Sequence, residues 1–454
     1  MTRTVEADYL VVGAGAMGMA FVDSLTAHAD VRVALVDRRH GVGGHWLEAY
    51  PFVRLHQASA FYGVASTLLG GGQLQQSGPE QGLQERASQA EILAYYGRVA
   101  DELVASGRVE FLPNADWVGD AVVSRVSGDR LGVPERCRVV DARYLAPSIP
   151  AEQPPPFAVV GGARVVPVNE LARLEEAASE YVVVGSGKTA TDCCIWLLSR
   201  GVDPDRICWV RPRDPWMLNR AVVQPDPAVF LGMGADIMEL AAMAESLDEL
   251  FLGLEDAGVM LRIDRGFRPT MAKTPTLAQW ELEQLRLIEN VVRKGHLLAV
   301  EPGRLIFADD AVEVGAQALV VHCAADGLKY PPLVPVWGRE VITLQPIRNG
   351  FPCFGAALVG YVEATRHDDA EKNRVCAPSP YGDSLAGWAR SVVLGTRNAM
   401  SFTAEPDIKE WANGVALNPA RLPPGHSESA ALSAARERLA RHTRPGLERL
   451  AALS

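Results

Sequence analysis

Apolar residues come in short, nearly unbroken runs along this chain rather than in alternation. They occupy Tyr9–Val12, 31–36, Val109–Leu112, 137–145 (there interrupted by Arg138, Asp141 and Arg143), Tyr181–Val184, Ile207–Val210 and 318–321. Runs of this length predict strands buried on both faces, as in a parallel sheet covered by helices. Helical patterns alternate with them. One covers 19–25 directly after the first run, and another continues to Leu198 after the fifth. Ser88 opens a third with the capping box Ser88-x-x-Glu91, its apolar face carried by Ile92, Tyr95, Val99 and Leu103. Strand, helix, strand, twice over, predicts an α/β fold with two doubly wound Rossmann-type dinucleotide-binding domains.

The intervening stretches divide the chain. Residues 68–87 are rich in glycine and glutamine and read as loop. Residues 146–157, APSIPAEQPPPF, are so proline-rich that they form an extended connection between domains. Helical patterns at 238–254 and 277–292 interrupt the second nucleotide-binding rhythm, with 258–263 and a loop through Pro269 and Pro275 between them. A helical insertion is expected at 227–294, covering a substrate cleft or forming a homodimer contact, with a purely structural role the alternative. Arg262, Arg265 and Arg268 on its loop suit an acidic substrate or plain solvation. An Ala/Arg-rich amphipathic helix at 428–442 reads as a surface or oligomer element. The resulting division is 1–155 and 335–410 for a first domain, 156–334 for a second inserted in it, and 411–454 for a helical extension.

Bulk properties narrow the class. At 454 residues the chain exceeds one core. A net charge of −11 without a basic block argues against nucleic acid or an anionic membrane as partner. No apolar run approaches the ~18 residues of a membrane span, and the opening residues lack a signal-peptide core. The seven cysteines show neither C-x-x-C nor zinc spacing, which suits buried thiols in a reducing cytoplasm. No metal cluster, Ser-His-Asp signature or H-E-x-x-H is present.

The chemistry sits at the strand ends. Gly13, Gly15 and Gly18 follow the first strand in G-x-G-x-x-G spacing. Such glycines allow the tight turn, the approach of a pyrophosphate and close helix packing, while the helix N-terminus offers N–H groups to phosphate. Asp37, closing the second strand, is placed for a ribose hydroxyl. Arg38 and Arg39 flank an adenine or are simply solvated. Gly43, Gly44, His45 and Trp46 form another turn where backbone can approach a flat ligand. A second fingerprint, Gly185-Ser186-Gly187-Lys188-Thr189-Ala190, has G-x-G-x-x-A spacing; a P-loop is excluded because Val182 stands where it needs glycine. The following strand ends in Arg211-Pro212-Arg213 instead of an acid, which favours the 2′-phosphate of NADP, a solvated turn being the alternative.

A first fingerprint with a terminal acid, a GG-x-W turn and a second fingerprint with cations together resemble the flavin-containing and Baeyer–Villiger monooxygenases. The resemblance implies FAD in the first domain and NADPH in the second, with Gly44, His45, Trp46, Gln57 and Phe354 beside the flavin. It also implies that the helix following Phe351-Pro352-Cys353-Phe354 points its N-terminus at the flavin pyrimidine, with Gln345, Asn349 and Gly350 just before it. His322-Cys323-Ala324-Ala325-Asp326-Gly327 resembles the family's A-T-G segment, with the threonine replaced. The redox cysteine pair of the related disulfide reductases is missing, since no cysteine precedes Cys137.

One signature departs. Where the family carries phenylalanine-glycine-histidine before the second fingerprint, this chain has Phe157, Gly161 and Gly162, then Val166 and Pro167 near the place of the histidine. His45 and His56 are the histidines considered for proton transfer, with a structural role the alternative for each. The resemblance implies a monooxygenase acting with O₂ on a small molecule, at a nucleophilic N or S centre or a ketone, through a flavin C4a-(hydro)peroxide. The alternatives are an NADPH-dependent oxidoreductase or oxidase without oxygen insertion, and a redox-sensing nucleotide-binding protein.

Overall fold

A computed structural model describes residues 4–325, 331–423 and 425–454. The first run forms β1 (Tyr9–Val12), and the glycines turn it into α1 (Ala16–His28) and on to β2 (Val33–Val36). Ser88 caps α2 (Gln89–Ala105) by accepting from the Glu91 N–H, while the Glu91 carboxylate returns to the Ser88 N–H at 2.7 Å, completing the expected capping box. β3 (Val109–Leu112) follows, then a small antiparallel sheet of β4 (Ala115–Val118), β5 (Ala121–Ser124) and β6 (Arg130–Gly132). The 137–145 run yields only β7 (Arg138–Asp141), because Asp141 ends it by accepting from the Arg143 N–H at 2.8 Å.

After the proline-rich connection come β8 (Ala158–Val159), β9 (Val165–Pro167), β10 (Tyr181–Val184), α3 (Lys188–Ser199) and β11 (Ile207–Val210). The expected helical insertion is half sheet. β12 (Pro215–Asn219) pairs with β13 (Met260–Arg262) and β14 (Met271–Leu277), and around them lie α4 (Pro227–Met243), α5 (Leu247–Asp256) and α6 (Gln279–Leu285). The 238–254 pattern breaks at Ala244 because Ser246 accepts from the Glu249 N–H and Glu249 from the Glu245 N–H, a local cap that outcompetes propagation. The 277–292 pattern ends at Leu285, and its β-branched tail becomes β15 (Val291–Val292), paired with β11.

A second antiparallel ribbon, β16 (Ala299–Glu301), β17 (Arg304–Ile306) and β18 (Ala311–Glu313), precedes β19 (Leu319–His322). Asp326 and Gly327 of the segment that follows lie outside the described residues. The chain then adds β20 (Val341–Thr343), α7 (Pro352–Thr365), α8 (Asp369–Val375), α9 (Leu385–Thr403), α10 (Pro406–Gly414) and α11 (Ala430–Leu453).

Two five-stranded, wholly parallel sheets organise these elements. Their orders are β20-β7-β1-β2-β3 and β15-β11-β10-β19-β9. Each carries its fingerprint strand, β1 or β10, in the centre. Among the described residues the chain returns to the first sheet through β20, and α7 lies so close on α1 that a methyl on Gly360 would stand 2.6 Å from the Phe21 carbonyl. α11 is longer than its pattern and is committed within the chain. Arg438 grips Asp236 and Glu239 of α4, Arg449 donates to the Ala244 carbonyl at 2.6 Å, and a methyl on Gly446 would stand 2.5 Å from the Met238 carbonyl.

Candidate functional site: two nucleotide cradles

The first cradle is built from backbone. A methyl on Gly18 would lie 1.9 Å from the Gly13 carbonyl, so only glycine permits α1 to pack this tightly on β1. Gly15 is the N-cap of α1 with no side-chain cap and no acid in the first turn, leaving helix N–H groups and their partial positive charge available. The GG-x-W turn lies on this loop: the Gly43 N–H donates to the Ala14 carbonyl at 2.8 Å, and Gly44 sits at φ +60° against Gly15. Asp37, 5% exposed, accepts from the Ala14 N–H at 2.7 Å and from the Arg39 N–H at 2.8 Å. Each carboxylate oxygen retains a lone pair for a hydroxyl. Beyond Asp37 opens a cavity of about 370 Å³ lined by Arg38, Arg39, Asn114, Arg125 and Glu152. Glu152, from the proline-rich connection, pairs with both Arg38 and Arg39 across it.

The second cradle repeats the design. The Gly185 N–H donates to the Val210 carbonyl at 3.0 Å, and the Trp209 indole donates to the Gly185 carbonyl at 2.8 Å. Gly187 caps α3 without a side chain, and no heavy atom beyond its neighbours lies within 4 Å of a methyl built there. Ser186 and Thr189 flank that space, half-buried. Lys188 turns away onto Asp192, which also accepts from the Tyr50 hydroxyl at 2.8 Å. β19 abuts the turn: His322 is in register with Val184, and the Cys323 backbone lies 3.3 Å from a methyl built on Gly185.

The arginines expected at a 2′-phosphate separate. Arg211 is 1% exposed, stacked 4.6 Å over Trp209 and paired with Asp214 at 2.8 Å; Asp214 also holds Arg293 at 2.9 Å. Burial pushes the Arg211 guanidinium down to about 10 despite Asp214. At 1% exposure it presents almost no surface to an incoming phosphate. Arg213, about half exposed and paired with Asp383 at 3.0 Å, remains at the surface.

Between the cradles, the two histidines are neutral. Burial, then the Arg39 charge, lowers His45 to about 4. Burial, then Lys188, Arg220 and Arg86, lowers His56 to about 3, and its Nε2 meets the Tyr62 hydroxyl at 3.1 Å. His45 and Trp46 stand ring to ring, centroids 5.0 Å apart, on the short helix Gly44–Glu48. Gln57, 2% exposed, faces the turn at Gly350. Phe354 is not at a ligand face: it is fully buried against Phe402 and Trp411, because α7 turns that side to α9 and α10.

Sequence reasoning missed a buried ionic knot. Arg86 pairs with Glu80 at 2.6 Å, and Arg220 pairs with Glu80 and, at 2.7 Å, with Glu281, all four residues no more than 9% exposed. Arg220 also donates to the His56 carbonyl at 2.9 Å, tying the insertion to the first domain. The one local signal was a cation, Arg220, lodged between Leu218 and Val222. All seven cysteines are buried and unbridged. Among the described residues, no helix is long and apolar enough to cross a membrane.

Comparison with known proteins agrees with this geometry. The family model described as NAD(P)-binding Rossmann-like domain matches residues 11–63, the first cradle with its GG-x-W turn. The solved structure of OTEMO in its FAD-bound form 2 is similar over 80% of this chain and 83% of its own, with a TM-score of 0.51 at 15% identity, a likeness of fold. The uncharacterized proteins Rv2000 of Mycobacterium tuberculosis (strain ATCC 25618 / H37Rv) and Mb2023 of Mycobacterium bovis (strain ATCC BAA-935 / AF2122/97) are each 41% identical over 420 residues. That alignment covers 92% of this chain and 78% of theirs. With its two parallel sheets and paired glycine cradles, the chain belongs to the family of Rv2000 and Mb2023.

Proposed function

We propose that the chain is an FAD-dependent, NADPH-consuming monooxygenase, acting with O₂ on a small molecule at a nucleophilic N or S centre or a ketone. The observation that carries this reading is the pair of uncapped helix N-termini, at Gly15 and Gly187, each on the central strand of its own parallel sheet. The residues present fit the two nucleotides. Gly13 to Gly18 would hold a pyrophosphate, Asp37 a ribose and Arg38 the adenine rim, with Gly44, His45, Trp46 and Gln57 along a ring system. Gly185, Ser186, Gly187 and Thr189 would hold the second pyrophosphate, with Arg213 as the exposed cation for its 2′-phosphate. That OTEMO is described as FAD-bound supports the first assignment.

Bound FAD supplies two-electron transfer from NADPH and the activation of O₂. This chain's own contribution is positioning and exclusion of water. Phe61, Phe351 and Phe230 pack edge to face, ring centroids 5.1 and 5.6 Å apart, at the start of α7 and seal that side. His45 and His56, held neutral, can accept hydrogen bonds but are too weakly basic to take up a proton near pH 7.

A second reading, an NADPH-dependent oxidoreductase or oxidase without oxygen insertion, is favoured by one feature. Val166 and Pro167 lie in β9, where Pro167 has no N–H and neither side chain offers a hydrogen bond. The deciding experiment follows NADPH consumption, peroxide release and incorporation of isotopically labelled O₂ into a panel of sulfides, amines and ketones. Label in product supports the monooxygenase. Peroxide matching the NADPH consumed, with no label, supports the oxidase. Nucleotide binding without turnover marks a redox sensor, and a protein that retains no FAD refutes the proposal.

A further inference from the structure

A cleft of about 400 Å³ opens at the end of the second parallel sheet. Pro150, Pro154 and Pro155 of the proline-rich connection form one side of it, and Val159 of β8 with Val165 and Pro167 of β9 form the other. His322, the last residue of β19, also lines it. His322 is in register with Pro167, so the two side chains leave the same face of the sheet. That is the face where Val320 packs with Val300 and Leu305 of the β16–β17 ribbon. α3, with the second cradle at its N-terminus, packs on the opposite face through Val321. Glu152 and Gln153 line both this cleft and the cavity beyond Asp37, and so stand between the two.

Size and apolar walls are those of a small-molecule site, and the few polar groups narrow what it takes. His322 is 3% exposed, and its Nδ1 is buried without a hydrogen-bond partner among the described residues. Burial lowers its pKa, so at pH 7 the ring is neutral, with one nitrogen donating and the other accepting. A buried polar group left unmatched is costly. The cleft offers nothing to an ion. Neither lysine nor arginine is among its described walls, and its one acid, Glu152, is taken by Arg38 and Arg39. A carboxylate or phosphate would lose its water there without gaining a partner. An uncharged, largely apolar molecule with a single hydroxyl fits. A hydroxyl both donates and accepts, so it matches the imidazole in either tautomer.

We propose that the cleft between the proline-rich connection and the edge of the second sheet is a further small-molecule site, which takes an uncharged alcohol or phenol whose hydroxyl pairs with His322. The site is independent of the FAD and NADPH reading, since the glycine turns of both cradles lie outside its walls.

The test uses the full-length protein as purified, at pH 7, and titration calorimetry. The probe is 2-naphthol, with naphthalene as its apolar counterpart and 2-naphthoate as its charged one. Two variants accompany it. His322→Phe keeps a ring and removes both nitrogens. Val159→Trp, at an exposed position, fills the cleft without touching either cradle. Saturable binding of 2-naphthol is expected, about tenfold or more tighter than naphthalene, the worth of one buried hydrogen bond. His322→Phe should abolish that preference, Val159→Trp should weaken both ligands at least about tenfold, and 2-naphthoate should not bind. The proposal is overturned by any of three results: no saturable binding of 2-naphthol, equal affinity for 2-naphthol and naphthalene, or tighter binding of 2-naphthoate. Binding unchanged in both variants would place the ligand elsewhere and overturn it too. Should His322→Phe fail to fold, Val159→Trp decides alone: weakened 2-naphthol binding supports the site, and unchanged binding refutes it.

Discussion

Gly15 and Gly44 meet backbone to backbone, so closely that a methyl on Gly44 would stand 2.9 Å from the Gly15 Cα. The contact is asymmetric, since a methyl on Gly15 would lie 3.6 Å from the Gly44 Cα, an ordinary approach. Gly44→Ala is therefore expected to cost about 1–3 kcal/mol of stability through its left-handed backbone and the clash. Gly15→Val is expected to fold but to fill the space where phosphate would approach, weakening FAD binding at least about a hundredfold, or ~2.7 kcal/mol. Gel filtration with flavin absorbance, beside thermal melts, separates the two. A Gly15→Val protein that keeps its full flavin complement would contradict the first cradle's role.

Arg211 and Arg213 are expected to fail in different ways. Arg211→Ala removes a buried cation from Trp209 and Asp214 and should destabilise by about 3 kcal/mol, with little change in coenzyme preference. Arg213→Ala should leave stability nearly intact and reduce the preference for NADPH over NADH by roughly ten- to a hundredfold, the worth of one charge-assisted phosphate contact. Urea melts and the ratio of kcat/KM for the two coenzymes test both. An unchanged ratio in the Arg213 variant would remove that residue from the site.

Glu80 gives the protein an acid limit. Burial alone would raise its carboxyl, but Arg220 and Arg86 outweigh that and hold it near 2, below its ordinary 4.5. A carboxyl depressed on folding contributes its stability above pH 4.5 and loses it as pH falls from there toward 2. The shift corresponds to about 3 kcal/mol. Glu80→Gln should be destabilised by that order at pH 7, and its deficit should shrink through this window. Chemical denaturation at pH 7, 4.5 and 3 measures it, and a deficit independent of pH would rule out the ionic origin.

Without substrate, NADPH oxidation is expected to release hydrogen peroxide nearly in step with the NADPH consumed. The side chains of Val166 and Pro167 offer no hydrogen bonds at the end of β9, so oxygen activated at the flavin would be poorly shielded. A coupled peroxidase assay reads the ratio. Slow NADPH oxidation with a flavin absorbance change persisting for minutes would show instead that shielding comes from elsewhere.

What could be read from sequence was what contiguous residues dictate. The cradles were legible because Gly13 to Gly18 and Gly185 to Ala190 each carry their whole geometry within six positions. The break in the 238–254 helix was legible in principle: Ser246-x-x-Glu249 has the capping spacing, but the apolar period ran over it. The fate of Arg211 was not, since Asp214 is shared with Arg293, 79 residues away, and the burying face is the Trp209 ring. Phe354 was misplaced for a similar reason. Which side of α7 meets the core depends on α9 and α10, and periodicity within one helix does not say which neighbour its faces will meet. The knot of Glu80, Arg86, Arg220 and Glu281 draws on segments 200 residues apart, and Arg220 between apolar positions is its one local sign.

The return of the chain to its first sheet through β20 and α7 also sets an order of assembly. α1 leaves the ribosome early with Met19, Phe21, Val22 and Leu25 needing cover, yet α7, which packs on it, begins only at Pro352. The strands of the second sheet all lie between Val165 and His322. The domain encoded second is thus complete while the domain encoded first still waits for its last strand and helix, contrary to the usual progression from the N-terminus. A nascent chain stalled before α7 would present a finished second sheet beside an open, apolar α1, the state in which a chaperone would meet this protein.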